Sequence, residues 1–382
     1  MKSLKLISLA FGGLTFGGLA FGATLALSSA AIAQDITVSV AGPMTGSESA
    51  FGRQMRNGAE LAVADLNEAG GLLGKKLALD VEDDACDPKQ ARSVAEKIAS
   101  AKIPFVMGHF CSASSIPASD AYAEGNVLQI SPGSTNPMLT ERKLWNVARV
   151  CGRDDQQGGV AGEYIAKNFK GKNIAILNDK TTYGKGLADQ TKKALNSAGV
   201  TEKMYESYNK GDKDFSAIVS RLKRDNIDLV YVGGYYQEAG LIVRQMRDQG
   251  LKTVLMAGDA LNDMAFASIT GPAAEGTLFT FGSDPRKKPT AKAIVERFEA
   301  KNINPEGYTL YTYAAMQIWS EAAKKAGTTD ARKVMAAIKA GKWDTVIGPI
   351  EFDAKGDIKR IDYVVYRWDG KGGYAEVTGD GT

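Results

Sequence analysis

Short apolar runs alternate with stretches of three-to-four-residue periodicity along most of the chain, and this alternation constrains the fold more than any other feature. Ile36-Thr37-Val38-Ser39-Val40 reads as a strand. A helix to Ala69 follows, with Met55, Ala59, Ala62, Val63 and Leu66 on one face. Gly70-Gly71 stops it. Strands over 76–83, 104–108 and 127–131 then alternate with helices over 87–99 and 112–124. Asp87-Pro88 supplies an N-cap followed by proline at the first helical position. The rhythm restarts after Gly152, with strands at 174–177, 229–232 and 253–257 and helices at 184–198, 215–224 and 239–248. Helical segments near 290–301, 309–326 and 331–339 come next, then strands at 349–352 and 363–368 around a turn at 353–357. Repeated strand–helix units place parallel strands side by side with helices on both faces. Two successive runs imply two α/β sheets.

The first residues carry an address. Lys2 and Lys5 precede an apolar stretch from Leu6 to about Leu27, and Ala31-Ile32-Ala33 gives a small-residue cleavage pattern before Gln34. This reads as a secretory signal peptide over residues 1–33, cleaved after about Ala33, with an uncleaved membrane anchor as the alternative. Five glycines in the stretch favour cleavage. Removal of 33 residues leaves 349 of 382, more than a single core usually holds. Without Lys2 and Lys5 the formal charge of +3 falls to +1, which gives no reason to expect nucleic acid or an anionic membrane as partner. One histidine, His109, argues against a metal site and against acid–base catalysis.

Cysteine usage fits an oxidising compartment. Cys86 and Cys111 stand at the ends of two successive strand–helix turns. Adjacent parallel strands would bring them within bridging distance, two buried free thiols being the alternative. Cys151 is left over and is expected reduced in the core near a domain crossover.

Taken together, several segments resemble the periplasmic branched-chain amino acid binding proteins of ABC importers. They are Gly-Pro-Met-Thr-Gly at 42–46, Asn-Gly-Ala-Glu-Leu-Ala-Val-Ala-Asp-Leu-Asn at 57–67, Asp-Asp-Ala-Cys-Asp-Pro-Lys-Gln-Ala at 83–91 and Gly-His-Phe-Cys-Ser at 108–112. Further on, Asn-Asp-Lys-Thr-Thr-Tyr-Gly-Lys-Gly-Leu-Ala at 178–188, Tyr-Val-Gly-Gly-Tyr at 231–235 and Asp-Thr-Val-Ile-Gly-Pro at 344–349 agree. The resemblance implies the type I periplasmic binding protein fold, two Rossmann-like lobes with parallel sheets joined by three crossovers. It implies residues 34–152 with 282–358 as one lobe and 153–281 with 359–382 as the other. It also implies a periplasmic monomer that takes a free amino acid to an ABC permease of the inner membrane, without cofactor, metal or catalysis. A sensor of amino acids or amides on the same fold is the alternative.

A free amino acid presents a carboxylate, an ammonium and a side chain. The carboxylate suits hydroxyls and N–H groups at a helix start, and Ser112 opens a helix directly after a strand. The family places a second carboxylate contact at Thr135 and turns the Gly133 carbonyl toward the ammonium. Its acidic partner for the ammonium, commonly Glu, is here the shorter Asp259. By family position Phe51, Phe110, Tyr183, Tyr235 and Tyr308 wall the pocket. Relatives often carry Tyr where this chain has Phe51 and Leu where it has Phe110. The larger ring at 110 points to ligands slimmer than leucine: alanine, valine or γ-aminobutyrate.

Other motifs fail on inspection. Gly70-Gly71-Leu72-Leu73-Gly74-Lys75-Lys76 is one residue short of a phosphate loop and lacks its Ser/Thr. Glu82-Asp83-Asp84 reads as a solvated strand end rather than a metal or acid pair. A nucleophile–base set and a cofactor loop are both missing from the sequence, so no enzyme is expected.

Overall fold

Residues 35–377, together with Ser8 and Ala10, are described in a computed structural model. Apart from those two residues, the leader expected over 1–33 and its cleavage point lie outside the described residues. The first run of the chain builds β1 (Ile36–Gly42), α1 (Ser49–Glu68), β2 (Leu77–Asp83), α2 (Pro88–Ser100), β3 (Phe105–Gly108), α3 (Ser112–Glu124), β4 (Leu128–Ser131), α4 (Met138–Glu141) and β5 (Val147–Arg149). The second builds α5 (Asp154–Asn168), β6 (Ile174–Asn178), α6 (Thr182–Ser197), β7 (Met204–Ser207), α7 (Ser216–Arg224), β8 (Leu229–Gly233), α8 (Tyr236–Asp248), β9 (Val254–Ala257), α9 (Met264–Thr270) and β10 (Leu278–Gly282). After these come α10 (Lys292–Glu299), α11 (Thr309–Ala326), α12 (Ala331–Ala340), the hairpin β11 (Lys342–Thr345) and β12 (Gly348–Glu351), then β13 (Tyr363–Trp368) and β14 (Tyr374–Glu376).

The first sheet has the order β2-β1-β3-β4-β5, all parallel. The second has the order β14-β13-β10-β9-β8-β6-β7. Its strands from β10 to β7 are parallel, and β13 and β14 add an antiparallel edge. The chain leaves the first sheet after β5 and joins the second. After β10 it returns, because α11 packs on α1 and on β3. Phe105 of β3 stacks on Trp319 of α11 with ring centroids 4.8 Å apart. A third passage, between β12 and β13, leads back to the second sheet. In both sheets the order reverses beside the first strand of its run. Open α/β sheets bind ligands at the carboxyl ends of strands flanking such a reversal.

Local chemistry explains the ends that matter. The Asp87 side chain accepts the Lys89 and Gln90 amides, capping α2. Gly58 of α1 lets α11 approach closely: a Cβ there would lie 2.2 Å from the Thr309 carbonyl oxygen. That approach brings Tyr308, just before α11, to the mouth of the first sheet. Cys86 and Cys111 form a disulfide, with Cα atoms 5.6 Å apart. Cys151 is free and buried, and burial pushes its thiol pKa well up.

Three expectations are corrected. The strands near 349–352 and 363–368 do not pair with each other: β12 pairs with β11, and β13 runs antiparallel to β10. The helix α5 and the short strands β5, β7, β11 and β14 were not read from the sequence. The polar, glycine-bearing start of α5 hides its periodicity, and three- or four-residue strands carry too few positions to show one. The run Glu82-Asp83-Asp84 is not a solvated strand end. Asp84 is wholly buried. One of its oxygens meets His109 Nδ1 at 2.6 Å and the other accepts the Cys86 amide at 2.7 Å. Among the described residues no cluster suited to a metal ion occurs.

The disulfide closes a 25-residue separation. Loop-closure entropy for that span is worth about 3–4 kcal/mol. Urea unfolding of a Cys86→Ala, Cys111→Ala variant is expected to show a stability lower by about that amount. A difference within about 1 kcal/mol would mean that the bridge does not constrain the unfolded chain.

Candidate functional site

The carboxyl ends of β3 and β4 face those of β6, β8 and β9 across a narrow cleft. Loops after these strands supply Phe110, Ser112, Gly133, Tyr183, Tyr235, Asp259 and Ala260, which line a tight cavity of about 10 Å³. Six of the nine residues expected to hold a ligand therefore meet around one space. The other three stand behind it. Phe51 stacks on Phe110, with centroids 4.2 Å apart. Tyr308 reaches Asp259 with its hydroxyl. Thr135 follows Gly133 in the loop after β4 and is buried.

The two walls differ in chemistry. On the first-sheet wall, Ser112 opens α3, and its hydroxyl oxygen accepts the Asn136 amide at 3.2 Å. The hydroxyls of Ser131 and Ser134 donate to the His109 carbonyl at 2.7 and 3.2 Å, which knits the loops after β3 and β4 together. The Thr135 hydroxyl faces the Asp154 carboxyl without forming a hydrogen bond of ordinary geometry. Behind this wall lies Arg149, fully buried. Its Nη1 donates to the carbonyls of Ser134 (2.8 Å) and Asn136 (3.0 Å), on either side of Thr135. Its Nε donates to Asp357 at 2.7 Å.

On the second-sheet wall, Asp259 follows β9 and is 2% exposed. It accepts the Tyr183 hydroxyl at 2.7 Å on one oxygen and the Tyr308 hydroxyl on the other. Burial raises its pKa, and the hydrogen bonds from Tyr308, Tyr183 and Gln157 oppose that rise. Two neutral donors aimed at one carboxylate suit its ionised form.

Between the walls sits an aromatic cage. Phe110 meets Tyr308 edge-on at 5.1 Å, and Tyr183 lies 5.1 Å from Tyr235. Tyr236, which sequence reasoning missed, meets Phe51 edge-on at 5.5 Å. Gly133 is required here, because a Cβ would fall 2.5 Å from the Phe110 ring. Asp154 was missed as well. It begins α5, is wholly buried, and has a pKa pushed up to about 8, by burial first and by the charge of Asp259 second. Its neighbour Asp155 is exposed and paired with Arg153, so nothing in the dipeptide marks which acid is buried.

Comparisons with known proteins agree with this geometry. A family model described as periplasmic binding protein matches residues 35–373. A Leu/Ile/Val-binding protein homologue of Brucella suis is 50% identical over 347 residues, covering 90% of this chain and 94% of the relative. An amino acid binding protein of Pseudomonas aeruginosa is 48% identical, covering 92% and 95%. The crystal structure of a leucine-binding protein from Thermotoga maritima superposes with a TM-score of 0.84 at 30% identity, covering 90% of this chain and 98% of that one.

Asp154 carries a measurable consequence. Its folded-state pKa, about 8, lies above the ordinary 3.8. Between those values the folded protein holds a proton that the unfolded chain has lost. Its contribution to stability is therefore complete below about pH 4 and falls by about 1.4 kcal/mol per pH unit until about pH 8. Asp154→Asn imitates the protonated form. Its melting temperature relative to wild type is expected to climb from pH 5 to pH 8 and then level off. A difference that stays flat over that range would contradict the burial of an acid here.

Proposed function

The chain belongs to the periplasmic binding protein family, and from that premise we propose that it captures a small aliphatic amino acid between two lobes and presents it to an ABC importer. The lobes are taken as residues 34–152 with 282–358 and residues 153–281 with 359–382, working in the periplasm once residues 1–33 are removed. The observation that carries the reading is the polarity of the cavity. One wall ends in a helix start with hydroxyls, the other in a buried carboxylate, and aromatic rings fill the space between. A zwitterion matches that pattern, with its carboxylate toward Ser112 and Thr135 and its ammonium toward Asp259 and the Gly133 carbonyl. Ligand docks first on the first-sheet wall, and the second lobe swings in with Tyr183, Tyr235 and Asp259.

The Phe110 ring supports the slimmer ligands. The closed cavity, about 10 Å³, has about the room one water needs, so the preference rests on the side chains that line it and not on its volume. Phe110 fills the room that a leucine side chain would use. Its ring is fixed by Phe51 on one face and by the absence of a Cβ at Gly133. Alanine, valine and γ-aminobutyrate are the favoured ligands.

Calorimetric titration of the mature protein against these three and leucine is the direct test, and leucine binding far ahead of the others would overturn the size argument. Asp259→Ala is expected to weaken binding by about 2 kcal/mol or more, roughly 30-fold, because it leaves a buried ammonium unpaired. Phe110→Leu is expected to raise leucine affinity by roughly tenfold or more relative to alanine. Unchanged affinity in the first variant or unchanged preference in the second would count against the assigned roles.

A further inference from the structure

A lysine that does not line the cavity joins the two walls. Lys210 lies in the loop after β7, and its Nζ sits 3.0 Å from Glu48 Oε2, in the loop before α1. Glu48 is fully buried, whereas Lys210 keeps a quarter of its side chain exposed. Next to this pair the Tyr236 hydroxyl and Gln237 Nε2 donate to the Ser47 carbonyl at 2.7 and 3.2 Å. All three bonds run from the second-sheet side to the residue pair Ser47-Glu48. The Lys210 loop is anchored on its own side: the Gly211 amide donates to Glu238 at 2.9 Å and the Asn209 amide to Asp212 at 2.8 Å. Two more buried acids there, Asp179 and Glu238, feel the Lys210 charge. Its ammonium also stands 5.0 Å over the ring of Tyr235, which lines the cavity.

We propose that Lys210 and Glu48 form a latch that sets how long a closed cleft holds its ligand, which makes Lys210 a positioning residue for binding although it touches no ligand. The inference rests on the proposed function above. A carboxylate losing all contact with water needs a cation or it opposes burial. Glu48 receives that cation from across the cleft, so closure and pairing are one event. Opening must break the pair and the two bonds to the Ser47 carbonyl together. The effect falls on release more than on capture, because the pair is absent while ligand enters.

Stopped-flow kinetics with alanine, valine or γ-aminobutyrate, whichever the wild-type protein binds, reads this directly. Lys210→Met is expected to speed dissociation roughly tenfold or more with association changed less than about threefold. Lys210→Arg should recover the slow release to within about threefold, since a guanidinium can still pair with Glu48. A Glu48→Gln, Lys210→Met double variant removes the charges together, and its release should be no faster than that of Lys210→Met alone. Its unliganded melting curve shows whether the fold survives. Release from Lys210→Met at the wild-type rate, or a double variant that releases faster than Lys210→Met alone, would overturn the latch while leaving the proposed function intact. A wild-type protein that binds none of the amino acids would overturn both.

Discussion

A guanidinium sealed from water is the constraint on which the rest of this architecture turns. Arg149 has no exposure and must satisfy its donors internally. It does so with Asp357, Thr140 and the carbonyls of Ser134 and Asn136. Two consequences follow from one residue. The loop holding Gly133 and Thr135 is clamped from behind, so its amides and hydroxyls are in place before a ligand arrives, which lowers the ordering cost of binding. Asp357 also takes Arg153 at 2.7 Å, so the first and third passages between the sheets share that carboxylate. The floor of the cleft and these two passages between the sheets are therefore one hydrogen-bonded unit.

The facing wall is built on the opposite logic. Among the described residues, Asp259 is met by tyrosine hydroxyls and Gln157 and forms no ion pair with an arginine or lysine. A carboxylate held by neutral donors stays short of a full counter-charge, which on the proposed reading an arriving ammonium would supply. Were a fixed cation placed there instead, the wall would be satisfied and would have less to gain from a ligand. The tyrosines serve the cage as well as the acid, since Tyr183 and Tyr308 pack against Tyr235 and Phe110. Recognition of charge and restriction of volume thus come from the same side chains.

Much of this was legible in the residues, and the remainder was hidden for physical reasons. The alternation of apolar runs announced two sheets, and Asp87-Pro88 marked the start of α2 where it lies. The Cys86–Cys111 bridge followed from two strand ends. The interleaving of the chain between sheets came from family resemblance, because periodicity reports what one segment buries and not which sheet receives it. Asp154 and Glu48 carry no mark in the sequence that separates them from surface acids, each standing beside a polar neighbour. Their burial is created by the opposite wall, which no local pattern encodes. The acid run at 82–84 failed for a related reason: His109, from the next loop of the same sheet, meets Asp84, and that pairing is not encoded in the acid run itself.

On the proposed reading, the distribution of buried charge narrows the ligand further than the Phe110 ring does. Around the cleft stand Asp154, Asp259, Asp179 and Glu238, all buried and all with pKa values raised chiefly by burial. A second carboxylate on the ligand would enter a space already short of positive charge, and in a medium of low dielectric like charges cost several kcal/mol. A ligand with an ammonium and no carboxylate would leave the helix start of α3 and the Thr135 hydroxyl unanswered. On the proposed reading, a molecule carrying one of each on a small apolar frame answers both walls and lets the cleft close without leaving an uncompensated charge inside.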